Sequence, residues 1–165
     1  METEMYHTTT IDSPVGELRI IASERGLRAI LWGAEDVARI AAIDDGDLVE
    51  ERTPLLDEAV RQLQEYFAGT RRDFDLPLDP AGTPFQQSAW NVLRTIPYGK
   101  TMSYGEQARR LGDPNKARAV GAANGKNPLS IVVPCHRVIG SSGELTGFAA
   151  GIDVKSWLLD HERQP

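Results

Sequence analysis

The sequence holds a single cysteine in 165 residues, which leaves no partner for an intramolecular disulfide and excludes a multi-cysteine zinc site. No apolar run approaches the roughly 18 residues that a membrane span requires. The acidic start, Met1-Glu2-Thr3-Glu4, is unlike a signal peptide. The expectation is a cytoplasmic protein with no membrane partner. Lysine is absent from the first half. Residues 1–80 carry 8 Arg and no Lys against 18 Asp and Glu, a net charge of −10. Residues 81–165 reverse the sign, with 10 Lys and Arg against 6 Asp and Glu, a net of +4. What is present is ordinary: 41% hydrophobic and 25% charged residues exclude a disordered chain and supply one proper core.

The charge reversal bears on partners. An overall net charge of −6 is wrong for a nucleic-acid binder. Within residues 94–137, however, Arg94, Lys100, Arg109, Arg110, Lys116, Arg118, Lys126 and Arg137 face only Glu106 and Asp113. Such asymmetry points to a polyanion partner for the second half, or to a merely solvated basic face.

Local patterns outline two units. Residues 8–11, 18–22 and 27–32 read as short strands, the last two joined as a hairpin across Ser23-Glu24-Arg25-Gly26. Residues 33–52 are acidic and weakly patterned. Thr53-Pro54 starts a helix whose apolar stripe runs from Leu55 and Leu56 to Tyr66 and Phe67, with Gly69 as its stop. Pro77, Pro80 and Gly82 mark residues 71–82 as a linker. Thr83-Pro84 opens a second helix, and Pro97-Tyr98-Gly99 ends it. Ser103-Tyr104-Gly105-Glu106 matches a capping box. The helix it opens ends near Leu111-Gly112, and Asp113-Pro114 caps another over about residues 115–124. Two short helices joined by a tight turn read as helix-turn-helix. The second bears Lys116 and Arg118 early, then small residues that permit close approach of its backbone, either to a ligand or to another helix.

The only cysteine follows an apolar run, Ile131-Val132-Val133, in the string Pro134-Cys135-His136-Arg137. A lone cysteine is usually an inert core residue. A thiolate is the nucleophilic form, a histidine can take its proton, and nearby cations stabilise the anion. Neighbours on a strand point apart, so cooperation between Cys135 and His136 needs a turn or a bridging water.

Pro134-Cys135-His136-Arg137-Val138, preceded by Asn127-Pro128 and by Arg118-Ala119-Val120-Gly121, resembles the O6-alkylguanine-DNA alkyltransferase family. The resemblance spans about residues 83–162, with Tyr104, Arg118, Asn127, Cys135 and Glu162 at the family's spacing. The N-terminal part matches only in general layout. The resemblance implies direct damage reversal: an alkylated guanine is flipped out of double-stranded DNA, and its O6 alkyl group passes irreversibly to Cys135, once per molecule. O4-alkylthymine is a second candidate lesion. The protein is expected to act as a monomer, with cooperative packing on DNA an open alternative.

By the same resemblance, His136 acts as the base for Cys135 through a water, and Glu162 orients it. Asn127 braces the cysteine's turn, and Tyr104 donates to the flipped guanine. Arg118 fills the gap in the stack, while Lys116, Ala117, Ala119 and Gly121 face the minor groove with it. The carbonyls of Cys135 and Val138 read the guanine amino group. Val138, Phe148, Ala149 and Ala150 line the pocket, with Ala149 supplying a backbone N–H. No cofactor and no metal are expected; the cysteines that hold a structural zinc in some members are missing. The expected fold is α/β of the α+β kind. A small N-terminal antiparallel sheet with a helix, residues 1–76, joins a C-terminal helical domain, residues 77–165, with a winged helix-turn-helix. Two other readings stand beside this one: a non-catalytic lesion-binding module, and a cysteine hydrolase using Cys135 and His136.

Overall fold

The computed structural model describes residues 5–33, 41–148 and 150–164, which fall into two compact units, Met1–Ala81 and Gly82–Pro165. Strand-forming runs build the first unit: β1 (Tyr6–Ile11), β2 (Leu18–Ala22), β3 (Leu27–Trp32) and β4 (Leu48–Glu50), in the order β3-β2-β1-β4. β1 pairs antiparallel with β2 from His7↔Ala22 to Ile11↔Leu18, and β2 antiparallel with β3. β4 corrects the expectation of an antiparallel sheet. It lies in the weakly patterned stretch and runs parallel to β1, Tyr6 opposite Leu48. A three-residue edge strand is too short to show a period in its sequence.

Helix α1 (Pro54–Phe67) covers the sheet. The Thr53 hydroxyl accepts from Leu56 N, Pro54 opens the first turn, and Leu56, Ala59, Val60, Leu63 and Tyr66 form the buried stripe. Ile20 and Ile30, paired across β2 and β3, are fully buried on one face of the sheet, while Ile21, Ala29 and Leu31 pack on the other with Tyr6, Ala41 and Ile43. The segment expected as a linker packs instead. Leu27 and Leu78 form a bridge, with Leu27 N donating to Pro77 O at 2.8 Å and Asp79 N to Leu27 O at 2.7 Å. Any Cβ on Gly26 would lie 2.6 Å from Pro77 O, so this crossing requires glycine.

The second unit begins with α2 (Pro84–Leu93), capped by a complete Thr83–Gln86 capping box. A turn leads to β5 (Met102–Ser103), then α3 (Tyr104–Arg110), a 3-10 turn (Pro114–Lys116) and α4 (Ala117–Gly125). Ser103 caps α3 by accepting from Glu106 N, but the Glu106 carboxylate pairs with Arg109 and Arg110, so only half of the expected capping box forms. α3 and α4 are locked by a buried reciprocal amide pair: Gln107 Nε2 donates to Asn124 Oδ1 at 2.9 Å and Asn124 Nδ2 to Gln107 Oε1 at 2.8 Å. Trp90 of α2 donates to Ala123 O at 2.8 Å. A 3-10 turn (Cys135–Arg137), β6 (Val138–Ile139) and α5 (Ile152–Arg163) complete the unit.

Candidate active site

The apolar run before the cysteine is folded, not extended. Ile131 has φ 75°, unusual for a β-branched residue, and Val132 N donates to Ser130 O at 2.9 Å across it. A second tight turn follows at Pro134 (φ −82°, ψ 65°), where Cys135 N donates to Val133 O at 2.8 Å. Holding Ile131 there costs on the order of 1–3 kcal/mol, which the surroundings must offset. Asn127 does so from one side chain. Its Nδ2 donates to Val133 O at 2.8 Å, and its Oδ1 accepts from Leu129 N at 2.9 Å. Cys135 and His136 therefore sit on a 3-10 turn, not on a strand.

β6 carries this turn to α3. Met102 pairs with Val138 and Ser103 with Ile139, in parallel, which sets Tyr104 at the first position of α3 beside the cysteine. Cys135, Tyr104, Asn124, Asn127, Ser130 and Phe148 line one cavity of about 20 Å³, room for a single water or methyl-sized group. Gly121 flanks Tyr104: a Cβ there would lie 3.8 Å from its ring. Ala150 is half-buried, and Ala149 lies outside the described residues. The two carbonyls expected to read a base both take part in the fold: Cys135 O accepts from Val138 N, and Val138 O accepts from Lys155 Nζ at 2.6 Å. A carbonyl carries two lone pairs, so one such bond does not exhaust it.

Behind the cysteine lies a buried ionic group. His136 is 0% and Glu162 4% exposed, and Nε2 lies 2.7 Å from Glu162 Oε2. Arg137 donates through Nε to Glu162 Oε1 at 2.8 Å and through Nη2 to Oε2 at 3.1 Å. Gly99 N adds a longer contact to Oε1 at 3.4 Å. Gly99 has φ 79°, and a Cβ on it would lie 3.0 Å from Glu162 O. Arg137 also donates to Ile96 O at 2.7 Å and stacks over Tyr98, 5.7 Å from its ring centre. The Arg137 guanidinium is therefore engaged by Glu162.

This network sets protonation. Burial pushes the His136 imidazole below the usual histidine range, and Glu162 offsets this only in part. Burial alone would raise Glu162; its hydrogen bonds and charge interactions with His136 and Arg137 outweigh that and hold the carboxyl well below the usual carboxylate range. At neutral pH Glu162 is ionised and His136 neutral. An ionised carboxylate only accepts, so Nε2 carries the ring proton and Nδ1 the lone pair. Nδ1 is buried with no hydrogen-bond partner among the described residues. The arrangement is that of a base with its acceptor atom free.

Lys155 is the cation that sequence reading missed. It is 1% exposed, and burial lowers its ammonium group while Cys135 pulls the other way. A lysine in an otherwise amphipathic helix carries no mark of burial. Thr146 and Gly99 were likewise overlooked. Only the Pro-Tyr-Gly turn hinted at a special backbone position.

Arg118 projects from the helix-turn-helix rather than into the cavity. It is exposed and makes no hydrogen bond or ion pair among the described residues. Lys116 and Ala119 are also exposed, and Ala117 and Gly121 half-buried. Lys116 lies in the 3-10 turn, its ammonium 5.6 Å from the Phe85 ring centre.

Fold and site together describe a helix-turn-helix protein whose cysteine shares a 3-10 turn with a buried, neutral histidine. Two family models divide the chain in the same way: the ribonuclease-like domain of 6-O-methylguanine DNA methyltransferase matches residues 5–80, and its DNA binding domain matches residues 84–164. The chain belongs to the 6-O-methylguanine DNA methyltransferase family. The methylated-DNA–protein-cysteine methyltransferase of Methanosarcina acetivorans is 45% identical over 96% of this chain and 98% of its own length. The constitutive enzyme of that name from Bacillus subtilis is also 45% identical, over 96% of both chains. The crystal structure of Mycobacterium tuberculosis O6-methylguanine methyltransferase superposes with a TM-score of 0.83 at 44% identity, covering 96% of this chain and 93% of that one. A crystal structure of the same organism's protein in complex with DNA gives a TM-score of 0.83 at 45% identity, covering 96% and 92%.

Proposed function

We propose that this protein repairs double-stranded DNA by taking the alkyl group of O6-alkylguanine onto Cys135, once per molecule. The observation that carries the reading is that Cys135, on the wall of a methyl-sized cavity, shares one 3-10 turn with a neutral His136 whose Nδ1 has no hydrogen-bond partner among the described residues while Nε2 is held by Glu162. The Cys135 proton passes through a water to Nδ1, and Glu162 holds the imidazolium that forms. Sγ then attacks the alkyl carbon. A C–S bond forms, the C–O6 bond breaks, and its electron pair returns to the guanine. Tyr104 supplies the proton that lets guanine leave neutral. A thioether is a poor leaving group, so the acceptor is not regenerated.

The target atom is buried in a base stack, so the nucleotide must leave the duplex to react. Arg118 is the side chain for the vacated space, being exposed, planar and unpaired among the described residues. Lys116, Ala117, Ala119 and Gly121 bring the α4 backbone against the minor groove, where readout is nearly blind to sequence. The protein acts as a monomer. It works in the cytoplasm, where a lone nucleophilic thiol stays reduced.

The test is incubation with a duplex carrying one O6-methylguanine, followed by intact mass and peptide mapping. One added methyl on the peptide bearing Cys135, saturating at one per chain, is the expected result. Unchanged mass with the duplex still bound would overturn the reading in favour of a lesion-binding module. A parallel duplex carrying O4-methylthymine measures the second candidate lesion.

A further inference from the structure

We propose that Thr146 is a positioning residue for alkyl transfer, aiming the Tyr104 phenol proton at the departing guanine. The inference rests on Tyr104 being the proton donor described above. Thr146 Oγ1 donates to Tyr104 Oη at 2.8 Å. A phenol has one proton and two acceptor sites. With Thr146 as donor, the phenol keeps its proton for another acceptor, and no other hydrogen bond to this phenol is present among the described residues. Tyr104 lines the cavity that holds Cys135, so a base brought to the mouth of that cavity, with its alkyl group inside, is the acceptor within reach.

The threonine needs a reason to stay in place, because residues 144–148 form neither helix nor strand. Lys155 provides it. Its buried ammonium donates to Thr146 O at 3.1 Å and to Val138 O at 2.6 Å. One side chain thus ties the loop bearing Thr146 to the strand that follows the cysteine. The same ammonium lies 6.0 Å from the Tyr104 ring centre. A hydrogen bond accepted by the phenol oxygen fixes the direction in which its own O–H points. When the C–O6 bond breaks, its electron pair moves into the guanine and a ring nitrogen takes the phenol proton. The phenolate left behind is held by Thr146 until the proton that His136 took from Cys135 returns to it through solvent.

The test is a double-mutant cycle on the single-turnover rate constant with an O6-methylguanine duplex, in wild type, Thr146→Val, Tyr104→Phe and the double variant, with Thr146→Ser as rescue. Loss of one hydrogen bond to the phenol predicts a roughly 3- to 10-fold slower reaction for Thr146→Val. Thr146→Ser should stay within about 2-fold of wild type. Duplex affinity of Thr146→Val should change by less than about 2-fold, since the hydroxyl is assigned no DNA contact. In the Tyr104→Phe background, Thr146→Val should cost nothing further, because the hydroxyl acts only through the phenol oxygen. A Thr146→Val rate equal to wild type, an equal loss in both backgrounds, or failure of serine to rescue overturns the inference. If Tyr104→Phe itself costs nothing, the fault lies with the donor role of Tyr104 instead, and the two failures are told apart. Should Thr146→Val not fold, Thr146→Ala takes its place in the same cycle.

Discussion

Ionisable groups are treated differently in the two units. In residues 5–81 the fully buried side chains are mostly aliphatic, and ion pairs such as Arg61 with Glu58 and Glu65 stand on the exposed face of α1. In residues 82–164 the interior holds His136, Arg137, Lys155 and Glu162 together with the amides of Gln107, Asn124 and Asn127. In the sheet, backbone satisfies backbone; around Cys135, side chains satisfy it. Buried charges cost several kcal/mol of desolvation each and are weak sources of stability. Their concentration around one cysteine shows where the fold gives up stability for an oriented proton acceptor.

Four measurements sharpen that contrast. Cys135→Ala should abolish transfer completely while leaving duplex binding intact, because the proposed binding surface is α4 and the basic face. Mass analysis and a gel-shift titration read the two effects separately. Residual transfer would locate the acceptor elsewhere.

Glu162→Ala should destabilise the second unit by about 3–5 kcal/mol, since Arg137 would be left buried without its carboxylate. The matched change in the first unit, Glu65→Ala on a partly exposed carboxylate shared by Arg61 and Arg71, should shift the urea midpoint far less. Similar shifts for both would erase the distinction drawn here.

Asn127→Ala should cost roughly 1–3 kcal/mol for each of the two groups it orphans, Val133 O and Leu129 N. It should slow transfer as well, because the cysteine's turn loses its brace. Urea unfolding and single-turnover kinetics check both. A stability loss with an unchanged rate would separate the brace from the chemistry.

The smallest effect is on pH. Native His136 resists protonation, so the unfolded chain binds more protons as pH falls below the ordinary histidine value of 6.5, and stability declines there. Glu162 acts lower. Its depressed pKa contributes stability that is present above the ordinary value of 4.5 and lost as pH falls through its folded value. Urea midpoints from pH 8 to 5 should fall in wild type. They should fall less in a His136→Gln variant, if that variant folds. An equal slope in both would remove His136 from the account.

Local chemistry made much of this molecule legible. The caps at Thr53, Thr83 and Ser103 start helices where the sequence indicates, because an N-cap and its partner lie three residues apart. β2 and β3 follow their apolar runs for the same local reason. β4 escaped notice, being a short edge strand placed by pairing with β1. Residues 71–81 read as linker because proline and glycine signal irregular backbone without saying whether it packs.

Composition and local spacing by themselves determined two units of opposite charge, the starts of the main helices, and a cysteine set beside a histidine and an arginine. Only the tertiary structure decided what each charged group does. Arg137 and Glu162 meet across 25 residues, Gly99 and Glu162 across 63, and Thr146 and Tyr104 across 42. Helix and strand periods act over a few residues, so no local pattern encodes such pairs. They form because a buried charge must find a partner, and which partner is in reach depends on how the helices and turns pack.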